Sequence, residues 1–116
     1  MTRERPELFK GTLDLLVLKV LAGGQAHGYE VLERIAARSD GELVIEEGSL
    51  YPALHRLARA GLLESEWGVS DNNRRARYYR LSSKGREQLA ERERRWDRLS
   101  TAIGRVLRPA CVKGIG

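Results

Sequence analysis

The sequence predicts a mainly α domain with a small β-hairpin: a winged helix-turn-helix closed by a long C-terminal dimerisation helix. Three observations predict it. Between Ser49 and Gly61 a leucine stripe runs opposite a polar face, after two earlier helical stretches. Two strand-like runs follow, joined by a turn rich in Asp and Asn and flanked by arginines. A charged, helix-forming stretch then carries apolar residues seven apart. This divides the chain into a winged helix-turn-helix unit over residues 8–81, a dimerisation helix over 82–107 and a flexible tail over 108–116.

Residues 1–9 form a short arm with Arg3, Arg5 and Pro6. Thr12 is the expected N-cap of a first helix. Leu13, Leu16, Val17, Val20 and Leu21 form its apolar stripe, widened by Leu15 and Leu18. Such a broad stripe exceeds what a small monomer needs, so part of it should meet the C-terminal helix or a partner chain. Gly23 and Gly24 stop the helix. A second helix spans about 28–38, with Tyr29, Val31, Leu32 and Ile35 as core candidates. His27 has no second His, Cys or paired carboxylate at ligand spacing, so it reads as a loop or cap residue rather than a metal ligand or general base. Ser39-Asp40-Gly41 is a turn, and Leu43-Val44-Ile45 is an apolar run able to add a small strand.

The third helix is the candidate reader. Ser49 is its expected N-cap, and Pro52 three residues later fixes the start. Leu50, Leu54 and Leu57, with Ala53 and Ala58, form the buried side, and Gly61 is the C′ residue. Ser49, Tyr51, His55, Arg56 and Arg59 lie on the polar side. Placed after another helix, that side can enter a major groove and offer hydroxyl, imidazole and guanidinium groups. On the helix alone, a merely solvated face is an equal reading.

The hairpin shifts the balance. Leu62–Trp67 and Ala76–Leu81 read as strands, with the turn between Gly68 and Asn73. Residues 72–80 carry Arg74, Arg75, Arg77 and Arg80 and no acid. A basic tip beside a candidate recognition helix suits phosphate contacts. Trp67 reads as core or hairpin packing. Lys10, near the start of the first helix, is a further candidate phosphate contact.

A long helix should start at Ser82 or Ser83 and reach Val106 or Leu107. Leu89, Trp96 and Ile103 are seven apart, and Leu99 and Val106 fall three after the last two. This is a dimer seam, broken by Gly85 and Arg92 in its first half. A second copy is the natural partner. Folding back on the first helix is the alternative, and both can hold.

Composition bounds the rest. The chain has 116 residues, 41% of them hydrophobic and 32% charged, with a net charge of +5. It is one globular domain compatible with a polyanionic partner. Cys111 is the single cysteine, so no intrachain disulfide can form and a reducing cytoplasm is expected. The charged start lacks the apolar core of a signal peptide. Leu13–Ala22 is too short to span a bilayer and is interrupted by Asp14 and Lys19. No Ser-His-Asp arrangement, metal-ligand spacing or phosphate-cradling glycine loop is evident, so no catalytic residue, metal or cofactor is expected. The competing non-enzymatic reading is an adaptor whose basic face meets an acidic protein.

The blocks Lys10-Gly11-Thr12-Leu13-Asp14-Leu15-Leu16-Val17-Leu18, His27-Gly28-Tyr29-Glu30-Val31 and Glu47-Gly48-Ser49-Leu50-Tyr51-Pro52-Ala53-Leu54-His55-Arg56-Leu57 carry a resemblance. Gly61-Leu62-Leu63, Arg75-Ala76-Arg77-Tyr78-Tyr79-Arg80-Leu81 and Gly85 continue it in the same order. Over roughly residues 8–100 the chain resembles the PadR family of bacterial transcriptional regulators, in its compact form with one C-terminal helix. The resemblance implies a homodimeric winged-helix repressor of its own promoter, bound to double-stranded DNA through the Tyr51-Pro52 region and the wing. It also implies, for some compact members, a flat aromatic effector stacked on a tryptophan of the C-terminal helix. Trp96 stands in that helix here, and plain interface packing is its other reading.

Overall fold

A computed structural model describes residues 10–108. Its elements are α1 (Lys10–Ala22), β1 (Ala26–His27), α2 (Gly28–Arg38), α3 (Glu47–Arg59), β2 (Leu63–Val69), β3 (Arg75–Leu81) and α4 (Ser83–Leu107). The three strands form an antiparallel sheet in the order β1-β3-β2. This is the expected winged helix with a long last helix. The arm before Lys10, Cys111 and the tail after Arg108 lie outside the described residues.

α1 is the central element and touches α2, α3, β3 and α4. Leu13, Val17, Leu18, Val20 and Leu21 are buried, while Leu15 and Leu16 are half-buried. A helix apolar nearly all round must be covered on several sides, and here the chain's own elements cover it. Thr12 is not the cap: the helix already includes Lys10 and Gly11.

α2 has the expected bounds. His27 caps it: its Nδ1 accepts from the Glu30 N–H at 3.3 Å, and Glu30 Oε1 accepts from the His27 N–H at 3.1 Å. This reciprocal box satisfies two helix-end donors. Val31 and Ile35 enter the core, but Tyr29, an expected core residue, is exposed. It lies off the face shared by Gly28, Val31 and Ile35. Leu43-Val44-Ile45 forms no strand; only Ile45 is buried. The third strand is Ala26–His27 instead, paired with Tyr79 and Tyr78. β3 is central, so the sheet gains its edge immediately before α2.

α3 begins earlier than expected. Glu46 occupies the N-cap position without a side-chain cap, and its carbonyl accepts from Ser49 and Leu50 N–H at 2.9 and 3.0 Å. Ser49 therefore lies in the first turn and is not the N-cap. Pro52 lies inside the helix, where it removes the N–H that would reach the Gly48 carbonyl. Both residues are exposed, so water can satisfy that carbonyl. The helix ends as expected at Gly61, whose φ is +83°. The Gly61 and Leu62 N–H groups donate to Ala58 and Leu57 carbonyls, each at 3.0 Å, a Schellman closure that needs glycine's left-handed backbone.

The start of α4 is stitched to that helix end. The Ser82 N–H donates to the Leu62 carbonyl at 3.0 Å. Ser82 Oγ donates to the Gly61 carbonyl at 2.7 Å and accepts from the Gly85 N–H at 2.9 Å. Lys84 Nζ donates to the Ala60 carbonyl at 3.1 Å. The first half of α4 then packs on α1, with Leu89 buried and Lys19 Nζ 2.9 Å from Glu93 Oε2. Leu89, expected in the dimer seam, therefore belongs to the intrachain core. It falls within the stretch where Gly85 and Arg92 interrupt the seam pattern, and the neighbouring apolar surface there is α1.

Asp14 is a buried charge at the centre of this framework, only 8% exposed. Arg56 Nη2 of α3 donates to its Oδ1 at 2.6 Å, and Arg92 Nη1 of α4 lies 4.0 Å from its Oδ2. One carboxylate thus ties three helices together. Asp14→Asn removes the charge at nearly constant shape. Because both arginines remain partly exposed, the expected loss is about 2 kcal/mol, below that of a fully buried pair. Urea unfolding at fixed protein concentration measures it; a loss below about 0.5 kcal/mol would make this an ordinary screened ion pair.

Candidate nucleic-acid interface

An open cleft of about 1060 Å³ lies between the start of α2, one flank of α3 and the inner face of the hairpin. Helical spacing brings Tyr51, His55, Ala58 and Arg59 of α3 to its edge. Strand alternation supplies the other wall. In the β2–β3 register Leu63 faces Leu81, Ser65 faces Tyr79, Trp67 faces Arg77 and Val69 faces Arg75. This face runs from core leucines at the root to an aromatic and two cations near the tip. The opposite face pairs Glu64 with Arg80, whose Nε donates to Glu64 Oε1 at 3.1 Å. Pleating thus sorts the wing arginines: Arg80 is neutralised outside, while Arg75 and Arg77 line the cleft with Arg74. Among the described residues no acid lies within 4.0 Å of the Arg74, Arg75 or Arg77 guanidinium groups.

The turn at the tip is ordered by its own side chains. Ser70 Oγ donates to Asn72 Oδ1 at 2.6 Å, and the Arg74 carbonyl lies 3.1 Å from the same hydroxyl. The Ser70 N–H donates to the same carbonyl at 2.8 Å. Asn73 adopts φ +63°, a conformation Asn tolerates. At the other end of the cleft Tyr51 lies across Gly28, where an added Cβ would sit 2.5 Å from the phenol oxygen. Burial, then Glu47 and Tyr79, raises the Tyr51 pKa above its ordinary value. A phenol is protonated throughout the neutral range even at its ordinary value, and this shift only carries its titration further from that range, so it can donate there.

The structure assembles six of the expected contacts around one cleft: Tyr51, His55, Arg59, Arg74, Arg75 and Arg77. Ser49 and Pro52 are exposed on α3 but do not line it. Arg56 is placed elsewhere, with its guanidinium committed to Asp14. Lys10 opens α1, and its side chain lies outside the described residues. Sequence reading did not single out Gly28, Tyr29 or Tyr79 as part of this site, nor Trp67, which packs within the hairpin, as one of its two readings expected, but is 55% exposed rather than core. The Gly28–Tyr51 contact joins distant positions and has no local signal. The alternation of residues 63–69 was a usable signal for Trp67. Among the described residues no group of three or more His, Cys, Asp or Glu could hold a metal ion. Nor is any helix long and apolar enough to cross a membrane.

The model of the transcriptional regulator PadR-like family matches residues 17–91, more than half of the chain. The chain belongs to the PadR-like family. It is accordingly a DNA-binding transcriptional regulator and not an enzyme. This PadR-family chain is 32% identical over 97 residues to the transcriptional regulator Rv3488 of Mycobacterium tuberculosis, covering 84% of this chain and 87% of the relative. It superimposes on a PadR family transcriptional regulator of Eggerthella lenta with a TM-score of 0.73 and 35% identity, covering 86% and 85% of the two chains. A PadR-like transcriptional regulator of Bacillus cereus gives a TM-score of 0.74 at 29% identity, over 88% of this chain and 97% of that one.

Proposed function

We propose that the protein is a homodimeric repressor. Two copies of α3 read the half-sites of a palindromic promoter element, and each wing grips the adjacent phosphate backbone. The unpaired Arg74, Arg75 and Arg77, facing Arg59 and His55 across one cleft, carry this reading. Cations without an acidic partner are available to replace the counterions of a polyanion. His55 and Arg59, with the exposed Ser49 and Pro52 on the same helix, offer the reading surface. Tyr51, packed over Gly28, sets the seat of α3. An adaptor for an acidic protein could use the same charge, but the juxtaposition of an exposed helix and a basic ribbon favours the grooves of a duplex.

A gel shift against the DNA upstream of its own gene, with excess nonspecific competitor at two salt concentrations, tests the reading. A discrete competitor-resistant complex supports it. Binding that disappears with competitor at both salts overturns it in favour of generic basic attraction. Arg75→Ala should weaken binding to all sequences and lower the log–log salt slope by about 0.9. An unchanged slope removes Arg75 from the phosphate contacts. Changes at Tyr51 or His55 should instead alter preference among sites.

Dimerisation rests on α4. Beyond Arg92 its apolar positions leave the core: exposure runs from 44% at Trp96 through Leu99 and Ile103 to 78% at Val106. A seam of such residues on one chain, matched by its two-fold copy, suits a palindromic site. Trp96 first serves that seam. Stacking of a flat aromatic effector is its second use in this reading, with release of DNA as the consequence. Titrating a planar aromatic dye into Trp67→Phe protein, where Trp96 is the remaining indole, separates the two. Quenching together with DNA release supports effector stacking; unchanged emission leaves Trp96 to interface packing.

A further inference from the structure

The hairpin tip stands on little support. β1 pairs only with Tyr78 and Tyr79, so from Arg77 outward the sheet is a two-stranded ribbon. Such ribbons depend on cross-strand side-chain pairs. Trp67 supplies them on the cleft side. The Arg75 guanidinium carbon lies 4.4 Å from its ring centroid and that of Arg77 lies 5.2 Å away. Both distances are within cation–π range. Arg77 Nε also donates to Ser65 Oγ at 3.0 Å. The indole remains exposed despite these contacts, and it lines the cleft together with both arginines.

We propose that Trp67 is the positioning residue of the DNA-binding wing: its indole holds the Arg75 and Arg77 guanidinium groups on the α3 side of the ribbon before DNA arrives. The proposal rests on the DNA-binding reading above. A free arginine loses considerable rotamer freedom when it is fixed on a phosphate. Stacking fixes part of that freedom in advance and leaves guanidinium N–H groups at the ring edge able to donate. Trp67 adds no charge, so its effect should appear in affinity and not in the number of counterions released.

The test is a double-mutant cycle on the full chain, read by fluorescence anisotropy with promoter DNA over a salt series. Trp67→Leu should weaken binding about five- to tenfold, the range of a cation–π contact, with an unchanged salt slope. Trp67→Phe, which keeps an aromatic face, should recover most of the affinity and guards against a folding defect. In an Arg75→Ala/Arg77→Ala background, Trp67→Leu should have no further effect. Equal losses with and without the arginines would overturn the positioning role, as would a salt slope that falls in Trp67→Leu alone. Failure of the wild-type chain to bind DNA in a salt-dependent manner overturns the DNA-binding reading and this proposal with it. Additive losses overturn the Trp67 assignment alone.

Discussion

Replacing Leu99 and Ile103 together by glutamate should convert the protein to a monomer and lower its affinity for a palindromic site about a thousandfold, within the range spanned by bivalent attachment. Both side chains are about half exposed on the single chain and lie far along α4 from its anchorage at Gly85 and Leu89. In a two-fold seam the pair of substitutions places four carboxylates where apolar surface should be buried. Each buried aliphatic side chain is worth roughly 1.5–3 kcal/mol, and desolvating the new charges adds to that loss. Neither position supports the core around α1, so the variant monomer should stay folded. Light scattering after gel filtration gives the oligomeric state. Anisotropy with full and half sites gives the affinities. The full-site advantage should vanish while half-site binding persists. A variant that remains dimeric would move the interface away from the second half of α4, and a monomer with undiminished full-site affinity would remove dimerisation from recognition.

Gly85→Ala should cost about 3 kcal/mol or more, the upper end of overpacking losses. For a domain of this size the melting temperature should fall on the order of 10–15 °C. The added Cβ would overlap the backbone carbonyl oxygen of Leu62 and press on Leu81. A rotamer change cannot relieve a clash with backbone. That carbonyl also accepts from the Ser82 N–H, so moving it loosens the cap of α4 and the closure of α3 together. Melting curves must be compared at one protein concentration, because the proposed dimerisation would contribute to apparent stability. Lys84→Met, which loses one exposed bond to the Ala60 carbonyl, is the control and should change stability by less than about 1 kcal/mol. Equal melting temperatures for Gly85→Ala and wild type would show that the junction yields without cost.

What is legible in the sequence follows the range of each force. The bounds of α2, the closure of α3 at Gly61 and the start of α4 at Ser82 depend on neighbours within a turn of helix, and their residues announced them. The hairpin was legible because alternation and turn chemistry are also local. Ser49 and Thr12 were misplaced as caps: α3 starts at Glu47 behind an N-cap Glu46 that has no side-chain cap bond, and α1 already includes Lys10. β1 escaped notice because two residues carry no periodicity; it exists because Tyr78 and Tyr79 offer it an edge.

The site divides in the same way. That the third helix carries a polar side and the hairpin a basic tip follows from residue order alone, as does the family to which the chain belongs. Which cations remain free does not. Arg56 and Arg59 look alike in sequence, yet Arg56 is held by Asp14, 42 positions away, while Arg59 lines the cleft. Arg80 and Arg77 are three apart, but pleating sends one to Glu64 and the other to Trp67. Leu89 and Trp96 share a heptad position, yet α1 covers one and leaves the other exposed. Helical and strand periodicity, capping chemistry and charge content are properties of short segments, so the sequence by itself determined the four helices, the hairpin and their order, but not β1. Ion pairing, stacking and coverage depend on which distant residues arrive within a few ångströms, and only the tertiary structure decided those.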